Sequence, residues 1–231
     1  MVCSHWFDKR TAEILRFLRR KGIKLPAIIE HPYQKNKFCL EWIDGPDGIQ
    51  APREILRNYR RILENIKRLF IIELPSDYRV RDVTSNMILD HYMKYLNGSD
   101  RSLTAEVKHF HKKLKLKGDK FLCHHDLAPR NIVFRNANFY IIDWEMLGIN
   151  NFPYDKGYFL AHVEHVAYHF QENLDIPLEE IDSIPYLCGL LDVYLDHFHP
   201  FHKHQVAIKM EKMERKEWRR RIINFIRNYT N

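Results

Sequence analysis

The sequence predicts an α+β fold, on three observations. β-Branched and aromatic runs short enough for strands gather at residues 25–29, 38–43, 121–123, 132–134 and 139–142, most of them bounded by Gly, Pro, Asn or Asp. Apolar residues at helical spacing occupy most of the remaining chain, with Lys and Arg on much of the opposite faces. Between the two regimes, Asp126, Asn131 and Asp143 fall within one strand, loop and hairpin unit, which gives the fold a chemical centre.

A chain of 231 residues is long enough for one sizeable core or for two lobes sharing a cleft. Its 45% hydrophobic and 29% charged content describes an ordinary globular protein with no disordered or membrane bias. In the opening MVCSHWFDKR, His5, Asp8, Lys9 and Arg10 interrupt any signal-peptide core, and the apolar run Leu69-Phe70-Ile71-Ile72 is closed at once by Glu73. The expectation is a soluble, cytoplasmic protein without a membrane span. Cys3, Cys39, Cys123 and Cys188 are scattered without CxxC pairing and are expected as reduced thiols. The net charge of +7 suits nucleic acid, an acidic surface or a phosphorylated ligand, and charge alone does not choose among them.

In chain order, residues 8–20 read as a helix ending near Gly22. Two strands, 25–29 and 38–43, flank a polar turn over residues 33–37, and Asp44-Gly45 breaks the second. Pro52 starts a helix in which Ile55, Leu56, Tyr59, Ile62, Leu63, Ile66, Leu69 and Phe70 recur at helical spacing. Helices are expected at 83–96, 103–116 and 155–171. The last carries His162, His165 and His169, which without an HExxH or an accompanying Cys or carboxylate set read as ordinary helix residues rather than a metal site. His197, His199, His202 and His204, broken by Pro200, read as a loop. Helical residues 184–198 and 206–229 complete the chain. The basic stretch from Arg215 to Arg221 has no recognised nucleic-acid motif beside it, so nucleic acid is not an expected partner.

The central segment reads FLCHHDLAPRNIVFRNANFYIIDWE. Phe121-Leu122-Cys123 suits a buried strand, and HHDLAPRN is too polar and too Pro-interrupted to continue it, so Asp126 belongs on a loop at a strand end. The runs 132–134 and 139–142 are joined by Arg135-Asn136-Ala137-Asn138, whose asparagines tolerate a left-handed backbone, and a hairpin there folds Asp143 back beside Asn131. Oxygen ligands so arranged are what a magnesium-nucleotide site needs. The bland reading, in which Asp126 is a turn residue and Asp143 a cap, stands beside it.

His124-His125-Asp126-Leu127-Ala128-Pro129-Arg130-Asn131, followed by a hairpin and Ile141-Ile142-Asp143-Trp144-Glu145, resembles the catalytic segment of the aminoglycoside phosphotransferase and choline kinase group, relatives of the protein kinases. The resemblance implies a protein-kinase-like fold with a reduced N-terminal lobe and hinge over residues 1–45 and a mainly helical C-terminal lobe over residues 46–231. It implies transfer of the terminal phosphate of ATP to a hydroxyl of a small molecule or sugar. Asp126 would accept the proton of the attacking hydroxyl, and Asn131 and Asp143 would hold Mg2+. Glu41, Trp42 and Ile43, within Leu40-Glu41-Trp42-Ile43-Asp44-Gly45, resemble the hinge whose backbone meets adenine; a plain hairpin would read similarly. Glu13 matches a helix glutamate that pairs with a lysine in the family, and Asp155 an aspartate that steadies the catalytic loop, although a surface glutamate and a helix cap would read the same way. His125 stands where the family usually has glycine.

The chain departs from the family upstream, where no glycine-rich loop and no lysine-bearing strand are readable. Lys35 and Lys37 are the nearest replacements for that charge in sequence. Two classes of function therefore compete: a phosphotransferase with a shortened upper lobe, and a catalytically impaired kinase-like binding or scaffold protein or fragment of a longer kinase. The acceptor, whether a choline-type amine, an aminoglycoside or a sugar, is not legible in the residues.

Overall fold

The computed structural model describes residues 6–31, 33–113, 119–172, 174, 183–196 and 212–230. The chain divides into two compact units, Met1–Asp82 with Phe121–Ile149, and Val83–Lys120 with Asn150–Asn231. The mixed α+β class read from the sequence is the one observed.

In the first unit, helix α1 (Lys9–Arg20) begins at Asp8, whose carboxylate accepts the Thr11 backbone N–H at 2.7 Å. That hydrogen bond holds Asp8 below the usual carboxylate range, and it satisfies one of the amides a helix start leaves open. Ala12, Ile14, Leu15 and Leu18 bury one face of α1. Strands β1 (Ile28–Glu30) and β2 (Phe38–Leu40) pair antiparallel, and Phe7 forms a bridge to Phe38 on the other edge of β2. Both strands are shorter than the sequence suggested. Upstream of β1, Lys24 N–H donates to Asn65 Oδ1 and Lys24 O accepts from Ile141 N–H, while Pro26 has no N–H to give a ladder. Ala27 O accepts from Glu41 N–H at 2.7 Å, the last rung before the chain leaves β2.

Helix α2 (Pro52–Phe70) starts with Pro at its first position and buries Ile55, Leu56, Ile62, Leu63, Ile66 and Leu69. Its buried Asn65 also donates to Gly22 O, so one side chain clamps the exit of α1 from both sides. The central segment contributes β4 (Phe121–Cys123), β5 (Ile132–Arg135) and β6 (Asn138–Ile141). A two-residue strand, β3 (Arg81–Asp82), pairs in parallel with β7 (Gly148–Asn150), which also neighbours β4. So short a strand carries no periodic signal, and the sequence reading did not find it.

The second unit is helical: α3 (Ser85–Ser99), α4 (Arg101–Lys113), α5 (Tyr154–Phe170), α6 (Ser183–Asp196) and α7 (Lys212–Thr230). Thr84 caps α3 through Met87 N–H, and Asp100 accepts Leu103 N–H ahead of α4 while also taking Arg219 Nε at 2.7 Å from α7. Tyr92 and Tyr158 donate to the two oxygens of Asp192 at 3.0 and 2.9 Å, and His162 Nε2 lies 3.2 Å from Asp192 Oδ2. His165 and His169 face each other at 3.0 Å. Among the described residues no group of three or more His, Cys, Asp or Glu side chains is arranged to hold a metal ion. The later histidine tract lies outside the described residues. Asp155 is buried in the first turn of α5, where Pro153 takes the cap position.

Among the described residues no helix is long and apolar enough to cross a membrane. The expectation of reduced cysteines holds for Cys123 and Cys188, which are buried thiols outside any disulfide. Cys39 is instead disulfide-bonded.

Candidate active site

The site is built on the chain that leaves β4. His124, wholly buried, donates Nε2–H to Ile142 O at 2.8 Å, and its Nδ1 accepts Asp126 N–H at 3.3 Å. A carbonyl on one nitrogen and an N–H on the other define a neutral imidazole with the proton on Nε2. Burial pushes His124 below the ordinary histidine range, against the pull of Asp126 and Asp143. Its ring rests edge-on against Trp144 at 4.6 Å. His124 thus ties the loop bearing Asp126 to the strand end bearing Asp143.

His125 takes the left-handed backbone, φ 69°, at the position where the sequence comparison led us to expect glycine. A residue with a Cβ is uncommon there. Its Nδ1–H donates to Met146 O at 3.0 Å, which holds the turn from the side-chain side.

Asp126 leaves the turn with both carboxylate oxygens engaged. Oδ1 accepts Arg130 Nη2 at 2.6 Å, and Oδ2 accepts Asn131 Nδ2 at 2.9 Å. Asn131 Nδ2 also reaches Asp126 O at 2.7 Å. With its amide nitrogen committed twice to Asp126, Asn131 presents Oδ1 as its remaining donor atom. The short 3-10 turn Pro129–Asn131 sets this spacing by placing Arg130 and Asn131 four and five residues after Asp126.

The hairpin then does what its sequence suggested. Ile132 pairs with Ile141 and Arg135 with Asn138, and beyond the ladder Ile142 N–H donates to Asn131 O at 2.9 Å. Asp143, next in the chain, is thereby carried back beside Asn131. Asp143 also has a left-handed backbone, φ 62°, ψ 60°, as the chain turns into the 3-10 helix Trp144–Met146. Trp144 is buried and its Nε1–H donates to Ile141 O at 2.8 Å, so the indole closes the end of the hairpin. The left-handed residues of the turn are Asn136 and Ala137, a correction to the reading that assigned them to the two asparagines; Asn138 belongs to β6.

Glu41, Trp42 and Ile43 follow β2 as extended chain rather than strand, a correction to the expected 38–43 run. Glu41 and Trp42 are exposed, Trp42 by 66%, and Ile43 is buried. Residues 45–48 then run against β5: Phe134 N–H donates to Pro46 O at 2.9 Å, Asp47 bridges Val133, and Gly48 N–H is shared between Pro129 O and Ile132 O at 3.0 and 2.9 Å. A Cβ at Gly45 would overlap the Phe134 carbonyl, and one at Gly48 would lie 2.6 Å from Pro129 O. The segment after the expected hinge is therefore laced directly to β5 and to the loop that carries Asp126 and Asn131.

Of the residues singled out in sequence, Asp126, Asn131 and Asp143 come together. Glu13 remains a half-exposed helix residue 4.0 Å from Lys9 on its own helix. Lys37 sits over the Trp6 ring at 3.5 Å, and Lys35 is exposed on the turn. The cation in contact with the central carboxylate is Arg130, which sequence reasoning passed over even though its place four residues after Asp126 was visible. Gly45, Gly48 and Asn65 were also missed as supports, because the partners they serve are distant in the chain.

The fold and site define a kinase-like phosphotransferase. The phosphotransferase enzyme family matches residues 9–180, and the chain belongs to it. No curated protein sequence matches significantly. Among solved structures, the chain is similar to spectinomycin phosphotransferase APH(9)-Ia in complex with ADP and spectinomycin, at 14% identity and TM-score 0.53 over 95% of this chain and 82% of that one. It is similar to choline kinase LicA from Streptococcus pneumoniae, at 17% identity and TM-score 0.54 over 95% and 81%. It is also similar to amicoumacin kinase hAmiN in complex with AMP-PNP and Ca2+, at 14% identity and TM-score 0.55 over 93% and 76%. These likenesses establish the protein-kinase-like fold expected from the catalytic segment.

Proposed function

We propose that this protein transfers the terminal phosphoryl group of ATP to a hydroxyl of a small molecule or sugar, with Asp126 as proton acceptor and Asn131 and Asp143 as the residues for Mg2+. The observation that carries this reading is the convergence of Asp126, Asn131 and Asp143 on one braced loop and hairpin. The donor set fits a hard cation: a carboxylate and a carboxamide oxygen whose nitrogen is turned away by Asp126. Bound there, Mg2+ would neutralise charge on the phosphate oxygens. ADP in the spectinomycin phosphotransferase structure, and AMP-PNP with Ca2+ in the amicoumacin kinase structure, support a nucleotide and a divalent cation as ligands. In this reading residues 1–45 form the reduced lobe and hinge, Glu41 to Ile43 meet the adenine, and residues 46–231 form the lobe with the catalytic loop.

The chemistry falls to this chain's own groups as follows. The acceptor hydroxyl gives its proton to an Asp126 carboxylate oxygen while its oxygen bonds to the terminal phosphorus. The bond from that phosphorus to the bridging oxygen breaks and ADP leaves. Arg130, already at Asp126 Oδ1, exchanges that contact for the incoming phosphoryl oxygens and so frees the carboxylate to take the proton.

The rival reading, a kinase-like binding protein without turnover, has one observation in its favour: both oxygens of Asp126 are already engaged. An ATP-consumption screen with Mg2+ against a library of hydroxyl compounds separates the two. Acceptor-dependent ADP release that falls by ~10²-fold or more in Asp126→Asn, with nucleotide binding retained, is the expected result. Mg2+-ATP binding without ADP release for any acceptor would favour the rival.

A further inference from the structure

The first unit carries a concavity of about 520 Å3 lined by Arg16, Arg19, Arg20 and Ile28. The three arginines stand at i, i+3 and i+4 on α1, so they share one helix face, and Ile28 of β1 supplies apolar floor. Arg16 is half-buried, with its guanidinium 4.8 Å from the centre of the Phe38 ring. Stacking on an aromatic face fixes the plane of a guanidinium and leaves its N–H edge for other partners. None of the three makes an ion pair or hydrogen bond among the described residues. Of the carboxylates at the start of α1 and on it, Asp8 caps the helix and Glu13 lies 4.0 Å from Lys9.

Two ordinary explanations fall short. Arg19 and Arg20 lie in the last turn, where positive charge complements the helix dipole, but Arg16 lies a turn earlier. A solvated basic face needs no concavity, and like charges at i+3 and i+4 weaken a helix. A bound anion reverses that repulsion. Guanidinium forks match phosphate oxygens in pairs, and three forks around one hollow match more than one phosphate group. The volume falls within the range of sites that enclose a small molecule, whereas single-stranded nucleic acid is held along an extended basic groove.

We propose that Arg16, Arg19 and Arg20 form a second ligand site, sharing no residue with Asp126, Asn131 and Asp143, that binds a small anion bearing two or more phosphate groups. The inference does not depend on the catalytic reading.

The test is calorimetric titration of the full chain with pyrophosphate and with tripolyphosphate in the presence of EDTA, so that metal-dependent binding is silent. Saturable binding that is tighter for tripolyphosphate and weakens with added salt is expected. Arg19→Gln with Arg20→Gln, both exposed positions, should weaken it by ~10-fold per arginine, the loss typical of one charge-assisted contact. Arg16→Lys, which keeps charge but loses the fork, should fall between, and Asp126→Asn should bind as the unchanged protein does. Unaltered affinity in the double variant, or lost affinity in Asp126→Asn, would overturn the proposal. Vesicles bearing bisphosphorylated inositol lipid form the second arm: displacement of the protein from them by tripolyphosphate supports a small-anion site. Vesicle binding that tripolyphosphate cannot compete would mean that a membrane surface, and not a soluble ligand, is recognised.

Discussion

Arg130 Nη2 lies 2.6 Å from Asp126 Oδ1, and both side chains are about three-quarters shielded from solvent. The pair places a positive charge beside the carboxylate proposed as proton acceptor. Arg130→Ala should lower kcat/KM by ~10 to 10²-fold, the loss expected of one charge-assisted contact to the transferring group. Arg130→Lys should recover part of it. If steady-state kinetics in Arg130→Ala match the unchanged enzyme, the arginine is only a structural tether.

Asp143→Ala should abolish Mg2+-dependent nucleotide binding, because the protein offers a largely hydrated ion only a few oxygens. Titration with ATP in Mg2+ and in EDTA reads this directly. Equal affinity for Mg2+-ATP in variant and parent would remove Asp143 from the metal site.

Gly45→Ala should destabilise the protein by more than ~2 kcal/mol, since a methyl group there overlaps the Phe134 carbonyl on the hairpin that holds Asp143. Chemical denaturation measures it, and the same experiment on Gly98→Ala, where open space surrounds the new methyl, provides the control.

His124 yields a pH prediction. Its folded-state titration lies below the ordinary histidine value of about 6.5, so between the two the unfolded chain binds more protons than the folded one. Stability should therefore fall as pH drops through and below that value. A His124→Asn variant should show a flatter stability profile over the same window, together with a lower plateau from the lost brace.

Ala137→Gly should raise stability by about 0.5–1 kcal/mol, because Ala137 sits at φ 58° in the exposed hairpin turn where glycine has no steric penalty. A thermal scan that shows no increase would mean that the turn carries little strain.

The residues that perform the chemistry in this reading were legible because they are local. Asp126, Asn131 and Asp143 lie within eighteen positions of one another, joined by a hairpin whose turn residues and β-branched runs are written in order. The amphipathic helices α1 and α2 were legible for the same reason, since their apolar spacing repeats along the chain. What supports the site was not local. Gly45 and Gly48 are ordinary loop glycines until β5 is laid against them, and Asn65 is one polar residue on a helix until Gly22 and Lys24 close on its amide. The ladder ends of β1 and β2 likewise depend on Ile141 taking the Lys24 carbonyl.

The sequence by itself determined the α+β class, the hairpin after Asp126 and the meeting of Asn131 with Asp143, because strand alternation, turn chemistry and helix spacing act between neighbours in the chain. Tertiary structure alone decided that Lys37 lies over the Trp6 ring. It also decided that His124 is neutral and that three arginines of α1 face one hollow. Proton position and the pairing of charges depend on which distant groups exclude water from a side chain, and that is set only when the chain has closed on itself.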